Sequence, residues 1–133
     1  MRKFTDNHKC FVCGTENPFG LKLSFSPGPG PDQVETQVIF PGHFQGWPGI
    51  VHGGLVSTLL DEIMVKAAEA KSIKCVTGEI QVRFKKPTLT QEAYKAVGKI
   101  LTIRQRIIYA EATLANPGGE LVAVANAKLY IVD

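Results

Sequence analysis

A chain of 133 residues with 44% hydrophobic and 20% charged side chains is sized for one compact domain, and it has no apolar run near the roughly 20 residues that a membrane span needs. The net charge of +3 is too small for a nucleic-acid footprint and favours an anionic small molecule only slightly. Three cysteines make a poor disulfide framework and the start Met1-Arg2-Lys3-Phe4-Thr5-Asp6 lacks the apolar core of a signal peptide, so a cytoplasmic protein is expected.

In chain order, residues 10–18 read as an irregular entry, and 20–26 as a first strand with Leu21, Leu23 and Phe25 on one face. Pro27-Gly28-Pro29-Gly30-Pro31 cannot continue a ladder and marks a turn into a second strand at 34–40. Residues 41–48 form a loop holding His43, Gln45 and Trp47. A helix follows over 53–71. At 100° per residue, Leu55, Val56, Leu59, Leu60, Ile63, Met64, Ala67 and Ala70 cover a broad apolar arc, with Glu62, Lys66 and Glu69 at the opposite pole. An arc that wide implies a helix wrapped by other structure.

Four strand-like runs complete the chain, at 74–86, 92–104, 106–116 and 120–132. Asn116-Pro117-Gly118-Gly119 reads as the hairpin turn between the last two. In the final run Ala123, Ala125 and Ala127 share a face, small enough for a helix to lie close. The order of elements predicts an α+β fold of about six strands, an antiparallel sheet curled around one long helix.

The stretch Gly49-Ile50-Val51-His52-Gly53-Gly54 opens that helix, and Asp61 lies two turns further in. Unpaired N–H groups and a partial positive charge at a helix start bind anionic oxygens, and glycines there let a substrate approach bare backbone. A carboxylate on an apolar helix is either at an exposed edge or held where chemistry uses it. Asp61 lies about 100° from the charged pole, whereas Glu62 sits on it with Lys66 at i+4 and reads as a surface ion pair.

Three segments carry a family likeness: Trp47-Pro48-Gly49-Ile50-Val51-His52-Gly53-Gly54, Thr58-Leu59-Leu60-Asp61 and Val82-Arg83-Phe84-Lys85-Lys86-Pro87. With Cys10-Phe11-Val12-Cys13-Gly14 and Asn17-Pro18-Phe19-Gly20-Leu21, they resemble the hotdog-fold acyl-CoA thioesterases of the PaaI type across nearly the whole chain. That resemblance implies hydrolysis of acyl-CoA thioesters without a cofactor, at sites built across a dimer interface. It matches Asp61 to the general base or nucleophile and the Gly53 N–H, with Gly54 beside it, to the donors that polarise the carbonyl. His52 is then either a helix-capping or a catalytic residue, and Thr77 a helper that positions water. Strict alternation puts Thr77 on the face away from Val76, Ile80, Val82 and Phe84 unless Gly78 marks a bulge.

Further substrate contacts are expected from Gln45, although the strictly matching position is Gly46, and from Trp47, with Phe44, Met64 and Tyr109 as other lining candidates. Arg83, Lys85 and Lys86, with Arg104 and Arg106, form a candidate cluster for the phosphates of coenzyme A, each alone reading equally as a solvated sheet residue. Ser57 and Thr58 have no histidine at helix spacing and read as packed or back-bonded to the helix. His8, Cys10 and Cys13 raise a zinc or redox reading. A structural zinc site wants four ligands, and Cys75 or His43 would have to complete it from afar, so ordinary cysteines in a turn and no metal are expected.

Gly53 and Asp61 are eight residues apart, roughly 12 Å along one helix, too far to act on one carbonyl. A two-fold dimer that brings Asp61 of one protomer to the helix start of the other resolves this, alone or doubled into a tetramer. The competing reading is an acyl-CoA-binding or regulatory domain of the same fold without turnover.

Overall fold

The computed structural model describes residues 4–132. Strands β1 (Ser26–Pro27) and β2 (Gln33–Ile39) precede α1 (Gly53–Glu69), and β3 (Cys75–Phe84), β4 (Ala93–Arg104), β5 (Ile107–Ala115) and β6 (Leu121–Ile131) follow it. They form one six-stranded sheet in the order β1-β2-β4-β5-β6-β3, every neighbouring pair antiparallel. A 3-10 turn, Gly42–Phe44, lies in the loop before the helix.

The expected first strand is mostly replaced. Lys22 takes a positive φ of 53°, which breaks the pleat, and the N–H groups of Leu21 and Leu23 donate to the carbonyls of Phe11 and Val12 rather than to a strand. Leu21, Leu23 and Phe25 still share a face and pack against the core. The other strands fall within a residue or two of expectation. The hairpin after β5 closes as read, with Gly119 at φ 87° and the Asn116 side chain accepting from the Glu120 N–H at 2.9 Å.

α1 buries Val56, Leu59, Leu60, Ile63, Met64, Ala67 and Ala68 against the sheet. Ala70, assigned to the apolar arc, is exposed at the C-cap, and Ala68 takes the buried place instead. Each fully buried Leu or Ile contributes roughly 1.5–3 kcal/mol, so this face holds the helix in place. Its partners are short: Ala96, Ala110, Ala112, Ala123, Ala125 and Ala127 are all buried. At Gly98, on β4, a Cβ would stand 2.5 Å from the Ile63 carbonyl oxygen, so helix backbone and sheet touch there with no room for a side chain.

A bulge in β3 sets the other feature that matters. Thr77 pairs with Leu129 and Glu79 with Lys128, leaving Gly78 as the extra residue. Gly78 lies under the Tyr130 ring, where a Cβ would be 1.9 Å from Cε2. Past the bulge the alternation is reset, so Thr77, and not Val76, shares the helix-facing side with Ile80 and Val82.

Gly98→Ala is expected to lower unfolding free energy by roughly 1–3 kcal/mol through overpacking, with an unchanged m-value in urea titrations; a neutral result would mean that α1 can retreat from β4 without cost.

Candidate active site

The helix start is built by a short, heavily bonded loop. The Val51 N–H donates to Thr88 O at 2.8 Å and the His52 N–H to Phe44 O at 2.9 Å, tying the segment to both of its flanks. Gly49 adopts φ 77°, a conformation that favours glycine. The Gln45 side chain accepts from the Gly49 N–H at 3.1 Å. Gln45 therefore holds the loop and is not on the wall of the adjoining groove, in contrast to the substrate contact expected of it.

His52 is the N-cap of α1. Its Nδ1 accepts from the Gly54 N–H at 3.0 Å, which leaves the proton of the neutral ring on Nε2. The cap takes Gly54 out of the set of free donors. The Gly53 N–H has no hydrogen-bond partner among the described residues. Ser57 and Thr58 bond back to the carbonyls of Gly53 and Gly54 at 3.0 and 2.9 Å, so neither hydroxyl is presented as a nucleophile.

His52 and Gly53 open into a groove of about 800 Å³. Its walls include Trp47, Ile50, Val56 and Phe84, with Lys85 and Lys86 at its edge. Trp47 is 80% and Phe84 54% exposed, an apolar mouth of the kind that takes an acyl or ring-bearing ligand. Phe84, part of one of the likeness segments but not among the expected substrate contacts, lies exposed on the groove wall beside Lys85-Lys86-Pro87. Among the lining candidates Met64 is fully buried core and Phe44 is buried beneath the loop.

The expected basic cluster is divided. Arg104 and Arg106 flank the β4–β5 turn, beside the Cys75 end of β3, while Arg83, Lys85 and Lys86 lie at its other end, roughly 23 Å away at 3.3 Å per residue. Arg106 also donates to Ile131 O at 3.1 Å. Of the five, only Lys85 and Lys86 reach the groove, and Lys86 is ion-paired with Glu120.

Asp61 does not line that groove. It is half-buried further along α1, where the Thr77 hydroxyl donates to its Oδ1 at 2.5 Å. The Gly78 bulge makes this contact possible by turning Thr77 toward the helix. Nearby, burial, then the charges of Glu69 and Asp61, push the Cys75 thiol up to about 11.

Glu62 does not make the expected pair with Lys66. Lys66 Nζ binds Glu69 at 2.8 Å, and Glu62 Oε2 instead accepts from Cys10 Sγ at 3.4 Å. Burial, with hydrogen bonds to Glu62 and Cys10, pushes the Cys13 thiol up to about 12.

The thioesterase superfamily model matches residues 48–123, more than half of the chain. The chain belongs to the thioesterase superfamily. Mouse (Mus musculus) acyl-coenzyme A thioesterase THEM4 is 29% identical over an alignment 97 residues long, which covers 61% of this chain and 42% of that protein. The chain thus spans less than half the length of this curated relative. A thioesterase superfamily protein of known crystal structure superposes with a TM-score of 0.86 at 23% identity, covering 94% of this chain and 61% of that one. The Escherichia coli PaaI protein superposes at 0.77 with 13% identity, covering 85% and 81%. A hypothetical thioesterase of Streptococcus pneumoniae, solved with coenzyme A, superposes at 0.77 with 15% identity, covering 83% and 88%. It has also been solved as an aspartate-to-alanine and a threonine-to-alanine variant, at positions sixteen apart. The fold is the hotdog fold of this superfamily.

The cap yields a stability prediction. His52→Ala should cost about 1 kcal/mol, while His52→Asn, whose Oδ1 can accept the same N–H, should keep most of it, as read by parallel thermal and urea unfolding.

Proposed function

We propose that this superfamily member hydrolyses acyl-CoA thioesters as a two-fold dimer, with the residues of the chain acting as one hotdog domain. The observation that carries the reading is the division of labour along α1. A free N–H at Gly53 opens into an apolar groove, and a carboxylate held by Thr77 lies two turns away. The thioester carbonyl is polarised by the Gly53 N–H at the positive end of the helix. Asp61, aimed by the Thr77 hydroxyl, either takes a proton from the attacking water or attacks the carbonyl itself. With water as nucleophile, the C–S bond breaks, the thiol of coenzyme A leaves with a proton, and the acyl group departs as a free acid; with Asp61 as nucleophile, C–S cleavage leaves an acyl–aspartyl anhydride, which water then hydrolyses to the same acid. Support for the Asp61–Thr77 pair comes from the pneumococcal protein, whose aspartate and threonine variants have the same sixteen-residue spacing as Asp61 and Thr77.

Two halves on one helix, roughly 12 Å apart, serve one carbonyl only if a second protomer supplies the missing half. The ten-residue β3 is at the edge of the sheet, beside Thr77, and an unpaired edge of that length invites pairing with its symmetry mate. Trp47, Phe84 and the Lys85 and Lys86 ammonium groups would receive the acyl-CoA, the lysines toward its phosphates and the aromatics toward its apolar parts. His52 Nε2–H is a further donor at the groove.

The decisive experiment uses two variants and their mixture on a panel of short, long and aromatic acyl-CoAs. Asp61→Asn should lower kcat about 10²–10⁴-fold. Gly53→Pro removes the donor N–H at a helix position that suits proline and should cost about 10²–10³-fold. Unfolded and refolded together, the two inactive variants should regain about a quarter of wild-type activity, because half of random dimers carry one intact site of two. Full activity in Asp61→Asn would remove the carboxylate from the mechanism, and no recovery on mixing would place each site within one chain. Ligand-induced stabilisation without hydrolysis on the whole panel would favour a binding domain.

A further inference from the structure

Away from the groove, the N-terminal arm brings three ligand-bearing side chains together against the middle of α1. Cys10 Sγ, Cys13 Sγ and a Glu62 carboxylate oxygen all lie within 4.8 Å of one another, each half-buried. A tetrahedral metal site with bonds of about 2.0–2.3 Å needs its ligand atoms roughly 3.3–3.8 Å apart, and the Cys10 Sγ to Glu62 Oε2 distance is already 3.4 Å.

The backbone around Cys10 is arranged about its sulfur. The N–H groups of Val12 and Cys13 both point at Cys10 Sγ, at 3.4 and 3.5 Å. Two backbone donors converging on one sulfur fix its position beside Cys13 and Glu62. The turn that aims them closes through Gly14, whose N–H donates to Cys10 O at 2.9 Å. A Cβ on Gly14 would stand 2.3 Å from the Cys10 nitrogen, so the turn leaves no space for any other residue. Leu21 and Leu23 pair with the carbonyls of Phe11 and Val12, which fixes this turn from its other side.

Two thiolates and a carboxylate around a divalent cation leave one net negative charge, and the Lys66 ammonium lies between Cys13 and its ion-pair partner Glu69.

We propose that Cys10, Cys13 and Glu62 form a binding site for a thiophilic divalent cation of the zinc class, with solvent in the fourth position. Two sulfurs exclude magnesium and calcium as preferred occupants, since those ions take all-oxygen shells. Bound there, the cation joins the arm to α1 at the residue next to Asp61. The site involves no groove residue and does not rest on the proposed hydrolase activity.

Cobalt(II) titrated into the reduced, metal-free chain tests this directly. Expected are a thiolate-to-cobalt charge-transfer band and tetrahedral d–d bands that saturate at about one equivalent per chain and are abolished by added zinc. Cys10→Ser/Cys13→Ser should lose both bands. Glu62→Gln, which leaves the cysteine turn intact, should keep the charge-transfer band and bind cobalt about tenfold more weakly. Circular dichroism of each variant separates loss of ligand from loss of fold. Absence of the charge-transfer band in the wild type would overturn the site, and unchanged affinity in Glu62→Gln would overturn the ligand set.

Discussion

Everything in this structure depends on how closely α1 lies against the sheet. Gly98 touches the Ile63 carbonyl, and a floor of buried alanines from β4, β5 and β6 brings the helix in along most of its length. Such close packing excludes water along that contact. Outside that packing the helix still presents its N-terminus, which opens into the groove at His52 and Gly53, and the stripe bearing the half-buried Asp61 and Glu62.

The bulge at Gly78 acts on the same geometry from the strand side. Without an extra residue between Thr77 and Glu79, Thr77 would point away from the helix and Asp61 would face a different residue of β3. Tyr130, across from the bulge, occupies the space above Gly78, so the glycine and the aromatic ring form one unit that sets the register. One inserted residue thus decides which hydroxyl meets the carboxylate.

The helix, the meander and the small-residue face of β6 could be read from the sequence because each is a periodic pattern, and burial follows period directly. Thr77 was conditionally legible: the glycine that causes the bulge is visible, but its effect on register is a pairing property that only β6 determines. The basic cluster failed for the same reason in reverse. Arg83 and Arg104 look alike as exposed strand cations, yet the ladder from β4 through β5 and β6 to β3 places them at opposite ends of the sheet. Gln45 stands beside the position, Gly46, that matches the family's loop amide, and its side-chain oxygen is engaged by the turn at Gly49, a contact that no sequence pattern marks. Glu62 was given a helical neighbour, and its partner lies 52 residues earlier, a distance that no local pattern encodes.

Adjacent positions on a helix point about 100° apart, and here that angle separates two attachments. Asp61 turns toward β3 and meets Thr77, while Glu62 turns toward the N-terminal arm and meets Cys10. The buried face resists displacement of α1 toward or away from the sheet, and it sets the rotation of the helix as well, because a turn about the axis would expose Leu59, Leu60, Ile63 and Met64. Two directional polar contacts, about 100° apart, add to that restraint. A turn of the helix that would draw Asp61 away from Thr77 must also pull Glu62 off Cys10. The arm before β1, which contributes little to the sheet, is thereby tied to the middle of the helix through Cys10 and Glu62, one residue from the Asp61–Thr77 contact.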